Sequence, residues 1–408
     1  MARSIGSGGF GQRSRSSRAC RPRQENGKFC GFRFLLFFRC RTGTVLIMKR
    51  EEVFNFSAGP SVLPRQALER ASAELLNYNG SGMSVMEMSH RSSFFQEIFD
   101  ATKAKLKAAL QVPDTHEILF LQGGASLQFS MVPLNLMEDG TADYAVTGNF
   151  SNIAMKEAKK YGSVHVAASS EDANHSYIPD QSRLQLTPGA KYFYYCANNT
   201  IYGTEWNYVP ETAAPLVCDM SSDILSRRVD VSRYGIILAG AQKNMAPAGV
   251  TVVIIDKSLA GREMPITPLM LSYRTMIDKD SMYNTPPCWC IYMLGLTLDW
   301  LESQGGVAGM EAIKKEKAAM IYDILDNSKL YKPHARRDSR SDMNITFRTG
   351  DADLDALFAK EGQARGLLNL KGHRSVGGIR ASLYNAQPME GVKALADYMK
   401  EFEVAHHA

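Results

Sequence analysis

Lys243 closes the apolar, strand-like run Ile236-Ile-Leu-Ala-Gly-Ala-Gln-Lys-Asn244, so its amine has given up part of its water. Burial lowers the pKa of an ammonium toward the range in which the free amine attacks a carbonyl. The residue reads as an imine-forming lysine, although a lysine snorkelling from a strand end fits the same letters. Asp219 lies 24 residues earlier in Ala214-Pro-Leu-Val-Cys-Asp-Met-Ser-Ser222, another apolar run that ends in a carboxylate and small hydroxyl residues. A buried aspartate needs a cationic partner; an aspartate capping the following segment is the alternative.

A third element precedes both. Glu117-Ile-Leu-Phe-Leu-Gln122 runs into Gly123-Gly-Ala-Ser126 and then into a segment starting at Leu127, which reads as strand, tight turn and helix. Small residues at such a turn let backbone N–H groups approach a phosphate at the positive end of a helix. A Gly-Gly turn that only joins strand to helix is equally compatible with the turn alone. The order phosphate turn, aspartate, lysine suits pyridoxal phosphate, whose pyridinium nitrogen is the cation that a buried aspartate would hold protonated.

Longer stretches carry a resemblance. Gly240-Ala-Gln-Lys-Asn244 with Pro247-Ala-Gly249, Cys218-Asp-Met-Ser-Ser222 and Lys371-Gly-His-Arg-Ser-Val-Gly-Gly-Ile-Arg380 belong to it. So do Phe54-Asn-Phe-Ser-Ala-Gly-Pro60, Ser84-Val-Met-Glu-Met-Ser-His-Arg91 and Tyr283-Asn-Thr-Pro-Pro287. From about residue 50 to 404 the chain resembles the phosphoserine aminotransferase family of fold-type-I pyridoxal phosphate enzymes. The resemblance implies a homodimer that moves an amino group from L-glutamate to 3-phosphohydroxypyruvate, giving O-phospho-L-serine and 2-oxoglutarate in serine biosynthesis. Some members also aminate a 4-phosphohydroxy keto acid on the way to vitamin B6.

It also implies roles. Lys243 is the cofactor's imine partner and proton carrier, Asp219 the pyridinium partner, and Thr200 a hydroxyl near the phenolic oxygen. Ala125, Ser126 and Gln242 form the phosphate cradle, joined by Asn284 and Thr285 from the other subunit. Arg380 clamps the substrate α-carboxylate, a planar group that suits a bidentate guanidinium. His90 and Arg91 from the partner, with His373 and Arg374, face the distal anion. Three positions depart from the family pattern: Phe150 where a stacking tryptophan is common, Asn199 in place of an acidic residue, and Ala246 in place of glycine. A phenyl ring still stacks, with less area.

Composition narrows the alternatives. Net charge is +5 over 408 residues, but residues 1–50 hold ten Arg, two Lys and one Glu, leaving the remaining 358 residues at −6. The body therefore carries no basic stripe for nucleic acid, and an acidic enzyme with a locally basic pocket suits small anions. No apolar stretch reaches the roughly 18 residues a membrane span needs. Seven cysteines at positions 20, 30, 40, 196, 218, 288 and 290 show no metal-ligand spacing and read as reduced thiols, and no metal is expected.

The expected architecture is α/β. Strands alternate with helices in a mainly parallel central sheet covered on both faces, followed by a smaller α+β domain. Three segments are expected: a basic, disordered extension over 1–47, an arm and large cofactor-binding domain over 48–307, and a small C-terminal domain over 308–408. The extension reads as a transit peptide or as sequence upstream of a true start at Met48. A cytoplasmic enzyme is expected, with an organellar one as the alternative if residues 1–47 are a genuine transit peptide. A desulfurase would share the lysine and aspartate, but no candidate mobile cysteine stands out. A regulatory pyridoxal phosphate module would not need Arg380 and His90.

Overall fold

The computed structural model describes residues 37–40, 43–46 and 49–406. Two units divide the chain, residues 1–48 and 49–408. In the first, Phe37–Cys40 pairs antiparallel with Gly43–Leu46. Most of the disordered extension expected over 1–47 lies outside the described residues, and this strand pair is a part of it that has regular backbone structure.

The second unit is built on a seven-stranded sheet. Its strands are β1 (His116–Leu121), β2 (Thr141–Val146), β3 (Ser163–Ser169), β4 (Phe193–Cys196), β5 (Leu216–Asp219), β6 (Ile236–Gly240) and β7 (Thr251–Asp256). The spatial order is β1-β7-β6-β5-β4-β2-β3. Pairing is parallel from β6 to β3, and β7 runs antiparallel to both its neighbours. The sheet is thus mainly parallel, as its near-continuous apolar strands require when both faces are covered.

Strand alternation divides these apolar residues between two cores. Ile118, Phe120, Ile237 and Val252 face one side, packed with Phe95, Phe99 and Leu106 of α1 (Ser93–Leu110). Leu119, Leu121, Leu238 and Val253 face the other, packed with Phe129, Val132 and Leu136 of α2 (Gly124–Leu136) and Met155 of α3 (Asn149–Ala158). The apolar helix α4 (Cys288–Ser303) packs into the first core through Ile291, Leu294 and Leu298.

A second sheet, β8 (Lys332–Pro333), β9 (Asn344–Arg348) and β10 (Ile379–Ser382), is antiparallel with β9 central. Its core joins α5 (Gly306–Asn327), α6 (Ala352–Ala364) and α7 (Met389–His406) through Ile321, Phe347, Phe358, Leu395 and Phe402. Phe56 belongs to this core, because the segment that precedes the large sheet pairs Phe54–Asn55 with Leu367–Leu368. Buried polar contacts tie the two sheets together. Asn198 donates to Asn344 at 2.8 Å and to Ser222 at 2.9 Å, and Lys314 of α5 bridges Glu205 and Asp342.

Candidate active site

Several of the side chains singled out from sequence gather at the carboxyl ends of the parallel strands, where open α/β sheets place ligands. β5 ends in Asp219, β6 leads to Lys243, β1 turns at Gly123 into α2, and β2 leads through Gly148 to Phe150. The β1–α2 turn is shaped by two left-handed residues, Gly123 at φ +85° and Gly124 at φ +66°. That conformation is open to glycine at little cost. The first N–H groups of α2 have no partner within the helix and leave a positive end, beside which lie half-buried Ala125 and exposed Ser126.

Lys243 is half-buried. Its Nζ donates to Thr200 Oγ1 at 2.7 Å and sits 5.0 Å from the centre of the Phe150 ring. Burial pushes its pKa down, Asp219 pulls it back up, and the nearby Arg380 guanidinium adds to the lowering. The backbone around the lysine is fastened to the N-terminal arm, since Ser61 N donates to the Gln242 carbonyl at 3.0 Å and Ser61 Oγ to the Lys243 carbonyl.

Asp219 is buried, and its Oδ1 accepts from Ser221 N at 2.9 Å and Ser221 Oγ at 2.6 Å. Ser221 Oγ in turn accepts from Gly240 N at 2.9 Å, locking the ends of β5 and β6 together. Among the described residues Oδ2 accepts no hydrogen bond, which leaves it for a donor outside the chain.

Arg380 of β10 donates through Nη1 to the Thr200 carbonyl at 3.3 Å, while its buried Nε has no hydrogen-bond partner among the described residues. Burial lowers its pKa, and no carboxylate offsets the effect. A partly buried guanidinium with open donors is an anion site in waiting. His373 stands close enough that Arg380 and Arg374 both depress its pKa, after burial, and its Nδ1 meets Ser375 Oγ at 2.7 Å. Arg374 is exposed.

Four expected residues stand apart. No hydrogen bond or ion pair among the described residues joins His90, Arg91, Asn284 or Thr285 to Lys243, Thr200, Asp219 or Arg380. His90 is half-buried and Arg91, Asn284 and Thr285 are exposed; the Thr285 carbonyl accepts from Gln122 at 3.1 Å, beside the β1–α2 turn. Phe150 lies by the lysine, buried Asn199 donates to Thr147 and Thr204, and Ala246 is buried.

Ser221, Ser61 and Tyr384 were not anticipated from sequence. Tyr384 donates to the Ala58 carbonyl at 2.8 Å and accepts from Asn344. Ser221 alone had a signal, the Asp-x-Ser spacing that lets a hydroxyl reach back to its own turn. Cys196 and Cys218 are buried, and burial pushes both thiol pKa values well up, which disfavours the thiolate.

The arrangement fits pyridoxal phosphate by its donor set. It offers a lysine amine disposed toward the neutral form, a buried carboxylate with one uncommitted oxygen, a glycine turn at a helix N-terminus and an aromatic ring beside the amine. Residues 53–395 match the family described as Aminotransferase class-V. The chain belongs to that family and is a pyridoxal phosphate-dependent transaminase of fold type I.

Relatives narrow the group. The phosphoserine aminotransferase of Geobacillus kaustophilus is 53% identical over 357 residues, covering 87% of this chain and 99% of its own length; that of Laribacter hongkongensis is 51% identical over 356 residues, with the same coverage. The structure of phosphoserine aminotransferase from Bacillus circulans subsp. alkalophilus aligns with a TM-score of 0.86 at 46% identity, over 87% of this chain and 99% of that one. A pyridoxal phosphate-bound phosphoserine aminotransferase from Trichomonas vaginalis aligns at 0.82 and 42% identity, over 85% and 99%. Within its family the chain stands among the phosphoserine aminotransferases.

Proposed function

We propose that the protein transfers the amino group of L-glutamate to 3-phosphohydroxypyruvate, forming O-phospho-L-serine and 2-oxoglutarate, as a homodimer in the cytoplasm. The observation that carries this reading is the carboxylate-free Arg380 beside Lys243, with His373 and Arg374 next to it. Both donor and acceptor are 2-oxo or 2-amino acids with a second anion, so one carboxylate clamp and one distal cationic group serve both halves of the exchange.

When bound, pyridoxal phosphate supplies an electron-withdrawing ring and carries the amino group between the two substrates. Asp219 Oδ2 would hold its ring nitrogen, Phe150 its ring face and Thr200 its phenolic oxygen. The β1–α2 turn with Ala125, Ser126 and Gln242 would hold its phosphate, completed by Asn284 and Thr285 of the partner subunit. His90 and Arg91 of the partner subunit complete the distal anion site.

The chain's own groups then have distinct tasks. Ser221 holds Asp219 by two hydrogen bonds, so the carboxylate presents one fixed oxygen. Thr200 accepts from the Lys243 amine and holds it in place, while burial weakens the amine's hold on its proton. Lys243 can therefore act as nucleophile and then move a proton to and from the substrate α-carbon. Arg380 orients the substrate through its α-carboxylate, so that this carbon faces the lysine.

The test is a pair of half-reactions followed by cofactor absorbance. Glutamate should convert the bound cofactor to its amino form, and 3-phosphohydroxypyruvate should return it far faster than pyruvate at equal concentration. Equal rates with pyruvate would refute a distal-anion site. The 4-phosphohydroxy keto acid of vitamin B6 synthesis can be run as a third acceptor.

A further inference from the structure

The segment from Lys371 to Ile379 is a closed turn. Gly372 N donates to the Gly378 carbonyl at 2.8 Å, and Val376 N and Gly377 N both donate to the His373 carbonyl, at 2.9 and 2.8 Å. Space inside it is exhausted, since a Cβ on Gly372 would lie 2.1 Å from the Gly377 carbonyl oxygen. A Cβ on Gly378 would lie 2.6 Å from the Phe347 carbonyl oxygen of β9. The turn therefore has one compact shape and rests on β9, and it carries His373 and Arg374.

Among the described residues one side chain from outside the turn hydrogen-bonds to it: Arg348, the last residue of β9, donates from Nη2 to the Val376 carbonyl at 3.1 Å. Arg348 makes no ion pair among the described residues, and it lies opposite Lys332 in the β8–β9 register. Like charges directly opposed across an antiparallel pair are destabilising. Thr346 is in register with Arg380, so Arg348, two residues on, projects from the same face of the sheet about 7 Å further along. Arg348 is thus aligned with the carboxylate clamp and pinned to the turn that carries the distal cations.

We infer that Arg348 is a positioning residue which, by fixing the Lys371–Ile379 turn, sets the preference of the site between a phosphate and a carboxylate as the distal anion. The inference rests on the reading of His373 and Arg374 given under Proposed function. A phosphate dianion draws on more than one cation, whereas a carboxylate is served by fewer. A turn that drifts therefore penalises the phosphorylated acid more.

The experiment compares holoenzyme carrying Arg348→Ala, Arg348→Lys or Arg374→Ala with the parent protein. Steady-state constants are measured with 3-phosphohydroxypyruvate as acceptor from glutamate and with 2-oxoglutarate as acceptor from O-phospho-L-serine, and hydrogen–deuterium exchange is followed over residues 371–379. For Arg348→Ala, the ratio of kcat/KM for the phosphorylated acid to that for 2-oxoglutarate should fall about three- to tenfold, a fraction of what a charged hydrogen bond supplies. The change should reside in KM, kcat should stay nearly constant, and exchange in the turn should quicken. Arg348→Lys, which keeps a cationic donor, should recover part of the ratio.

An Arg374→Ala variant that shifts the ratio while both Arg348 variants keep the parental ratio would overturn the inference and leave the distal-anion reading standing. Faster exchange with an unchanged ratio would also overturn it, since the contact would then be structural only. If neither Arg374→Ala nor Arg348→Ala moves the ratio, the distal-anion reading fails and this inference with it.

Discussion

Under the proposed roles, Lys243 and Arg380 should respond differently to truncation, because the first acts on bonds and the second on binding. Among the described residues, Lys243→Ala removes the one lysine amine in the cluster of Thr200, Phe150 and Arg380. Turnover should fall by roughly 10⁴-fold or more, as expected when nucleophile and proton carrier are lost together. The protein should still fold and still bind the cofactor's phosphate, but it should not show the absorbance of a lysine-linked cofactor; a variant that keeps that band would refute the assignment. Arg380→Ala instead leaves the amine intact and removes donors that no carboxylate neutralises. Charged hydrogen bonds contribute roughly 1.5–3 kcal/mol each, so kcat/KM should fall for glutamate and for the keto acid alike. An effect on one substrate only would mean that Arg380 faces the distal anion and not the α-carboxylate.

At the scale of an element, helix α5 buries two lysines, Lys314 and Lys317, on a helix whose amphipathic pattern reads lysine as solvent-facing. Lys314 is paired with Glu205 and Asp342, but among the described residues Lys317 donates only to the carbonyls of Tyr384 and Asn385, at 3.4 and 3.0 Å. Burial lowers the Lys317 pKa from 10.5 to about 8. A base whose folded pKa is depressed contributes stability that is present above its unfolded pKa and lost as pH falls through the folded value. Between about pH 10.5 and 8 the folded state therefore loses on the order of 3 kcal/mol through this residue. Lys317→Met has no such dependence, so the stability of the variant relative to the parent should be greatest near pH 7 and decline toward pH 10. Melting temperatures of both proteins across that range measure the difference, and a gap independent of pH would show that Lys317 titrates normally. The same helix shows where sequence stops being legible. Apolar strand runs were readable because both sheet faces are buried, and Asp219 and Lys243 were readable because a charge ends each run. Lys317 and Tyr384 act on partners 67 and 326 positions away in the chain, and contacts so distant leave no local pattern. Only Ser221 acts within its own turn, and its motif could be read.

At the scale of the whole molecule, the proposed site takes His90, Arg91, Asn284 and Thr285 from a partner, because among the described residues none of them bonds to the Lys243 cluster of its own chain. Arg91 is exposed and carries no ion pair among the described residues, and Tyr283, beside Asn284, is an exposed aromatic. A cation and an aromatic left to solvent at separate places on one chain suit contacts made across a twofold axis, where each patch meets the other's counterpart. If that is so, Lys243→Ala and Arg91→Ala each inactivate a homodimer, but by lesions that belong to different chains of one site. In a mixed dimer both lesions fall in the same site and the second site is intact. Two inactive preparations, mixed under conditions in which native mass spectrometry shows subunit exchange, should then regain up to about a quarter of parental activity. That figure follows from half the dimers being mixed and each holding one intact site of two. Exchange without recovered activity would mean that Arg91 serves its own chain, and the shared-site reading of His90, Asn284 and Thr285 would lose its support as well.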